Sequence, residues 1–213
     1  MTEFWKSSYW DKRFKEEIEF EWLVSPDLFV SQTHLYLSDL STKAIAHIGC
    51  GNSLLSRRIQ CMRDDVRIHN VDYSEEAINR ARELNGEQQQ LYHKANLLDT
   101  QQMTAALLQP VDLVVDKCVA DSLSTGEDVV IEGTPRRPAY ALAYNLSRVV
   151  KSGGLWICCS FSPYRFEDLA ECAEWEITNR WSIPVQSGSE KDSDGRVVHR
   201  PAVHHYFIVL RRI

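Results

Sequence analysis

The chain reads as an α/β protein: a doubly wound, mainly parallel seven-stranded sheet, with an antiparallel C-terminal hairpin and added N-terminal helices. Three observations predict this. Short apolar runs alternate with helical patterns through most of the chain, the sequence form of a parallel sheet wrapped by helices. One such run, Ala44 to Ile48, passes straight into a glycine-rich turn, Gly49-Cys50-Gly51-Asn52-Ser53. A second run ends in a carboxylate, Asp72, about 20 residues further on, the distance between successive strand ends in a strand–helix–strand unit.

The elements follow in order. Thr2 to Glu17 carries Phe4, Trp5, Tyr9, Trp10 and Phe14 at helical spacing and predicts a helix with one apolar face. Pro26 marks a break, and Asp27 to Leu37 predicts a second helix. Lys43 to Ile48 is the first strand and Asn52 to Met62 the helix after it. Val66 to Val71 is the second strand. Ser74 then caps a helix over Glu75 to Leu84, with Glu75 and Glu76 in its first turn. Leu91 to Ala95 predicts a short third strand and Gln101 to Leu108 a helix. Val111 to Val115, apolar except for Asp112, has the pattern of a strand at the sheet centre. Pro135 to Val150 predicts a helix that stops at Lys151-Ser152-Gly153-Gly154. Leu155 to Phe161 is the next strand and Glu167 to Ala173 a short helix. Trp175 to Ile183 and Val203 to Leu210 predict an antiparallel hairpin around a polar loop, Gln186 to Pro201. The whole of 1–213 reads as one domain, with 1–40 as a helical addition or lid and 41–213 as the core.

Composition narrows the function. With 213 residues, 44% hydrophobic and 25% charged, the chain is long enough to bury a sizeable core. A net charge of −6 argues against nucleic-acid partners, which require clustered Lys and Arg. No stretch is long and apolar enough to span a bilayer. The first residues lack both the apolar core of a secretory signal and the composition of a transit peptide, so a cytoplasmic location is expected. The 6 cysteines form no C-x-x-C pair, and Cys158 and Cys159 point to opposite faces of a strand, which predicts reduced, mostly buried thiols. The 7 histidines show no metal-ligand spacing, and no metal is expected.

Ligands of an open α/β sheet sit outside the carboxyl ends of its strands. The candidate site is therefore the set of strand ends. Gly49, Cys50 and Gly51 bring backbone close to a ligand. Asp72 is placed to accept hydrogen bonds from ribose hydroxyls. A dinucleotide fingerprint needs glycine where Leu54 stands, so a pyrophosphate cradle is not expected. A nucleoside cofactor without phosphates fits, and S-adenosylmethionine is the expected one. Tyr73 is placed to stack on adenine, and Asn96 and Leu97 to read its edge. Arg13, beside Trp10 and Phe14, suits the carboxylate of the cofactor's amino-acid end, and an aromatic face suits a sulfonium. Asp116, Lys117 and Asp121 close the fourth strand and are the candidate catalytic set, one group meeting the cofactor and another facing an acceptor amine or hydroxyl. Methyl transfer to an amine needs a deprotonated nucleophile held in line, and positioning supplies most of the rate.

With these residues assembled, the chain resembles a class I, Rossmann-like S-adenosylmethionine-dependent methyltransferase. More narrowly it is similar to the elongation factor 1-alpha lysine methyltransferase group. The matching pieces are Tyr9-Trp10-Asp11-Lys12-Arg13, Phe20-Glu21-Trp22, Ile48 to Ser53, Val71-Asp72-Tyr73-Ser74, Val111 to Lys117 and Val149 to Gly154. The resemblance implies cofactor contacts from Trp10, Arg13, Trp22, Gly49, Asp72, Tyr73, Asn96, Leu97 and the Asp116-Lys117 pair. It also implies a protein substrate, with a translation factor as an example. The chain departs from the pattern in three places. His47 stands where many methyltransferases carry an acid, and Asn96 where a carboxylate is usual. Asp116 to Leu123 replaces the relatives' Glu-Lys-Gly-Thr-Leu-Asp-Ala-Leu, a segment that faces the acceptor. No Asn-Pro-Pro-aromatic motif follows the fourth strand, which disfavours base or glutamine-amide nitrogens as acceptors.

The leading expectation is methyl transfer to a protein lysine amine. The alternatives are the same chemistry on an N, O or S atom of a small molecule, and a non-catalytic cofactor-binding scaffold. Glu127 to Arg137 is the expected lid, where an acidic open rim would suit a protein and a closed apolar pocket a small molecule.

Overall fold

Alternation along each strand divides the apolar residues between two faces of one sheet. The computed structural model describes residues 3–167, 169, 172–185, 190–191, 197–198 and 203–213. The elements begin with α1 (Ser7–Glu16), α2 (Pro26–Leu37), β1 (Ala44–Ile48), α3 (Leu55–Met62), β2 (Arg67–Asp72), α4 (Glu75–Asn85), β3 (Gln90–Lys94) and α5 (Thr100–Ala106). They continue with β4 (Val111–Lys117), α6 (Val119–Leu123), β5 (Val129–Ile131), β6 (Thr134–Arg136), α7 (Pro138–Ser147) and β7 (Val150–Ser160). The last are β8 (Trp175–Pro184), β9 (Glu190–Lys191), β10 (Val197–Val198) and β11 (His204–Arg212). Seven strands form the main sheet in the order β3-β2-β1-β4-β7-β11-β8. The first five in that order run parallel, and β11 is antiparallel to both β7 and β8. The order reverses between β1 and β4, and the crevice outside their carboxyl ends is the place where such sheets bind ligands.

On one face, Ile45, Ile68, Leu113, Val115, Ile157 and Phe207 pack under α2 and α3. On the other, Ile48, Val71, Val114 and Trp156 pack against residues of α5 and α7. Trp156 is fully buried and meets Phe166 and Trp175 edge-on, at centroid distances of 4.7 and 5.6 Å. A third cluster, formed by Trp10, Phe14 and Ala77 with Tyr9, Phe20, Trp22 and Tyr73, joins the N-terminal segment to α4. Among the described residues no helix is long and apolar enough to cross a membrane.

Several boundaries differ from expectation, each for a local reason. The first helix starts at Ser7, not Thr2. Pro26 opens α2 at its first position, with the Ser25 hydroxyl accepting from Leu28 N, so the proline begins the helix rather than separating from it. The helix expected from Asn52 starts at Leu55, because Ser53 Oγ accepts from Leu55 N and a Glu21 carboxylate oxygen from Leu54 N. The helix expected from Pro135 starts at Pro138, because residues 134–136 pair with 129–131 as a hairpin. It ends at Ser147, and β7 then begins at Val150, five residues before the expected Leu155. The five-residue α6 had no periodic signal of its own. The helix expected over Glu167 to Ala173 and the loop Gln186 to Pro201 lie partly outside the described residues.

Candidate active site

The glycine loop is shaped by what packs against it. Gly49 and Gly51 hold φ of +55° and +52°, in the left-handed region that favours glycine. A Cβ on Gly49 would stand 2.4 Å from a methyl carbon of Val119, and one on Gly51 would stand 3.1 Å from the ring of Phe14. At Gly49 and Gly51 the loop therefore offers bare backbone beneath Val119 and Phe14, between β1, α6 and the N-terminal segment. Cys50 is buried beside Ile78, Ala81 and Tyr92.

Asp72 ends β2 beside this loop. Its carboxylate accepts from Gly51 N at 3.0 Å and Ser74 N at 2.9 Å. Burial, with Asp11 nearby, pushes its pKa up to about 6. Asp11 in turn accepts from Ser74 Oγ, which ties α1 to the cap of α4. Tyr73 packs against the aromatic cluster, Leu97 is buried, and Asn96 Oδ1 accepts from Leu98 N at 3.0 Å.

The carboxyl end of β4 divides its residues between the two faces. Lys117, on the α2–α3 face, is 5% exposed and pairs with Glu21 at 2.7 Å while donating to the Trp22 carbonyl at 3.1 Å. Asp116, on the opposite face, is fully buried and accepts from Val119 N at 2.8 Å, which caps α6. Its second oxygen has no hydrogen-bond partner, and burial beside Asp121 pushes its pKa up to about 7. Between these elements Cys118 holds φ of +76°, unusual for a residue with a side chain. Asp121 binds Arg165 Nε at 2.6 Å, Ser160 Oγ at 2.6 Å and Phe161 N at 3.0 Å.

The N-terminal segment forms the wall over the crevice. Trp10 stacks on Phe14 at 5.6 Å and lies 5.4 Å from Trp22. Trp10 Nε1 and Ser122 Oγ both donate to the Phe4 carbonyl, at 2.7 and 2.6 Å. Glu21 accepts from Ser53 Oγ, Leu54 N and Lys117, so one carboxylate ties this segment to β1's loop, α3 and β4.

These elements line a crevice, open to solvent on one side, whose empty space including the open mouth is about 720 Å³. Of the residues expected at the site, Trp10, Trp22, Gly49, Cys50, Gly51, Asp72, Tyr73, Asn96, Leu97 and Lys117 line it. Arg13, Asp116 and Asp121 do not. Arg13 bonds Glu17 at 2.9 Å and Tyr9 at 3.1 Å and lies over the Phe20 ring, one helical turn having offered it nearer partners. Asp116 is turned away by strand alternation, and Asp121 is consumed by Arg165. Residues that sequence reasoning left out also line the cavity: His47, Asn52 and Ser122. His47 is neutral, its pKa pushed down to about 3 by burial and by Lys117, and it bonds Ser56 Oγ at 2.8 Å. Its place two residues before Gly49 was the available signal. A second, open groove of about 1680 Å³ shares Tyr73, Asn96 and Leu123 with the cavity and runs between Lys6 to Ser8 and β5.

Known structures share this architecture. A protein from echinomycin biosynthesis, solved in a study of disulfide-to-thioacetal conversion, superposes with a TM-score of 0.68 at 16% identity, covering 97% of this chain and 93% of that one. N-methyltransferase NodS from Bradyrhizobium japonicum, solved with S-adenosylhomocysteine, gives 0.63 at 17% identity, covering 95% and 98%. The fold is thus that of S-adenosylmethionine-dependent methyltransferases. Residues 40–197 match the methyltransferase domain model, and the chain belongs to that family. It is 32% identical over 218 residues to methyltransferase srdJ of Neurospora crassa, covering 99% of this chain and 85% of that protein. It is 31% identical over 166 residues to the mouse eEF1A lysine and N-terminal methyltransferase, covering 75% of this chain but 22% of that protein. The glycine loop and the Asp72 carboxylate at its edge fit the family's cofactor.

Proposed function

We propose that the chain transfers the methyl group of S-adenosylmethionine to a lysine amine of a protein substrate, with a translation factor as the example the resemblance offers. The observation that carries this reading is the open groove joined to the cofactor cavity. Its rim holds Asp99, Glu127 and Asp128, and Glu127 and Asp128 are exposed and have no ion-pair partner among the described residues. Such a rim attracts a cationic side chain and stays open to a macromolecule. The mouse relative, named for eEF1A lysine methylation, supports it.

The bound cofactor supplies an activated methyl group. The protein's part is to hold and exclude. The glycine loop and Asp72 hold the nucleoside side, with Tyr73, Asn96 and Leu97 beside it. Trp10, Phe14, Phe20 and Trp22 shed water from the wall and present ring faces to a sulfonium. Lys117 is fixed by Glu21 and the Trp22 carbonyl, which anchors the wall to β4. Asp116 and Asp121 shape the turn at Cys118 that borders the acceptor side. No carboxylate of β4 lines the cavity, so the amine's loss of its proton falls to solvent and the groove rim, and rate comes from positioning.

The same aromatic wall also favours a second reading, a small apolar acceptor held within the cavity. The test is incubation with S-adenosylmethionine tritiated in its methyl group and a protein extract cleared of small molecules. Label recovered as methylated lysine after acid hydrolysis is the expected result. Label absent from protein but transferred to an added small-molecule extract moves the assignment to the second reading.

A further inference from the structure

We infer that the acceptor protein docks as an extended segment along the outer edge of β5, adding a strand to the β5–β6 hairpin, an inference that rests on the protein-acceptor reading and deepens it. The hairpin is a two-stranded sheet of its own, apart from the main sheet. Its turn holds Glu132 at φ +49° and Gly133 at +80°, the left-handed pair of a two-residue type I′ turn. The residues flanking such a turn, here Ile131 and Thr134, form a hydrogen-bonded pair, and the pairs then alternate along the ladder. Val130 and Pro135 are therefore a pair that exchanges no hydrogen bonds. Pro135 suits that place, having no N–H to give. The N–H and C=O of Val130 consequently point away from β6, and among the described residues neither finds another partner.

They point into the open groove. Val129, Val130 and Ile131 all line it, and no residue of β6 does, so the groove runs along the edge of β5 and not across the face of the hairpin. Val130 is 69% exposed, an apolar side chain left in the open beside main-chain groups without partners. A strand edge of this kind is a template for another chain. Charge says which chain. Glu127 and Asp128 lead into β5 and are exposed on the same rim, while Lys6 on the facing wall is already paired with Glu3 at 2.6 Å. The edge therefore suits an extended segment of basic and apolar residues whose main chain bonds that of Val130. Alternate side chains of such a strand turn to one side, towards Leu123 and Tyr73, where groove and crevice meet. A lysine at one of those positions is carried towards the cofactor, and the basic neighbours remain with the acidic rim.

The test separates main chain from side chain. Val130→Pro deletes the outward N–H without removing a bond of the hairpin, and proline is tolerated on edge strands. Val130→Ala keeps the N–H and trims the side chain. Wild type and both variants are incubated with methyl-tritiated S-adenosylmethionine and a protein extract cleared of small molecules, and the affinity of each for S-adenosylhomocysteine is measured by calorimetry. Val130→Pro is expected to slow labelling of protein about tenfold, with S-adenosylhomocysteine affinity within about twofold of wild type. Val130→Ala should stay within about twofold of wild type in both measurements. Should Val130→Pro not fold, the α-hydroxy acid analogue of valine at position 130 replaces the same N–H with an ester oxygen and should give the same loss. A wild-type labelling rate in Val130→Pro or in the ester overturns the inference. So does a loss in Val130→Ala as large as in Val130→Pro, which would place the contact in the side chain. Label that wild type transfers to small molecules and not to protein overturns the protein-acceptor reading, and the inference falls with it.

Discussion

Asp116 and Lys117 are neighbours in sequence and opposites in the fold. Both are charged residues at the carboxyl end of the central strand, and both are buried. On the Lys117 face the N-terminal segment arrives with Glu21, and the pair closes one wall of an open cavity. On the Asp116 face α6 follows within three residues, and the carboxylate is spent on its first amide. Asp121 continues that face, locked to Arg165 and the start of the loop after β7. A strand's period of two therefore assigns neighbouring charges to different work, one set to the cavity and the other to the turn that frames it.

Substitutions can break that contrast. The largest effect is expected from Asp121→Ala, which strands the partly buried Arg165 charge. It should cost about 3–5 kcal/mol in urea unfolding. Cofactor affinity of the folded protein should stay within about threefold, as expected for a group at the far side of the turn. A large affinity loss at unchanged stability would place Asp121 in the cavity and erase the contrast.

Asp72→Ala tests the cavity side directly. Loss of a charged acceptor should weaken S-adenosylhomocysteine binding about tenfold to a hundredfold by calorimetry. The carboxylate is the accepting form and its pKa in the free protein is raised to about 6, so wild-type affinity should rise between pH 5 and 7.5. Asp72→Asn should remove that rise; a slope that survives points to another group.

Lys117→Met is expected to weaken binding about tenfold, by loosening Glu21 and the aromatic wall. Truncating one partner of a buried pair costs because the other charge is left unpaired. A hydrogen-exchange measurement should show faster exchange in residues 17–24, whereas unchanged protection there would detach the wall from β4.

Asp116→Asn should act only through pH, by about 1.4 kcal/mol for each pKa unit that separates the folded from the unfolded state, and its sign follows from linkage. The pKa is raised to about 7 in the folded protein, so the native state holds the proton more tightly than the unfolded chain. Its contribution is present at low pH and is lost as pH rises from about 4 through 7. The variant should therefore gain thermal stability relative to wild type over that interval. A difference that is flat with pH would show that Asp116 does not titrate there.

How much of this was legible in the chain depends on range. The alternating runs, Ser74 as a cap and the pairing of Gly49–Gly51 with Asp72 are local patterns. Local geometry answers them directly, as in Ala77 N bonding Ser74 Oγ at 3.2 Å. Arg13 was placed at the cavity by its aromatic neighbours and by resemblance, whereas in the fold Tyr9 and Glu17, one turn away on either side, hold its guanidinium outside the lining. Pro135 and Arg136, expected to open a helix, pair in the β5–β6 hairpin instead, because Pro135 suits either.

The amino-acid sequence by itself determined the sheet, its strand ends and the glycine–carboxylate pair, since these follow from periodicity and from φ angles that glycine tolerates. Tertiary structure alone decided which charges face the cavity. Lys117 meets Glu21 and, 95 positions away, the Trp22 carbonyl, and Arg165 meets Asp121 44 positions away. Those partners are chosen by packing, and packing is what turns a row of charged residues at a strand end into one wall of a site and one scaffold behind it.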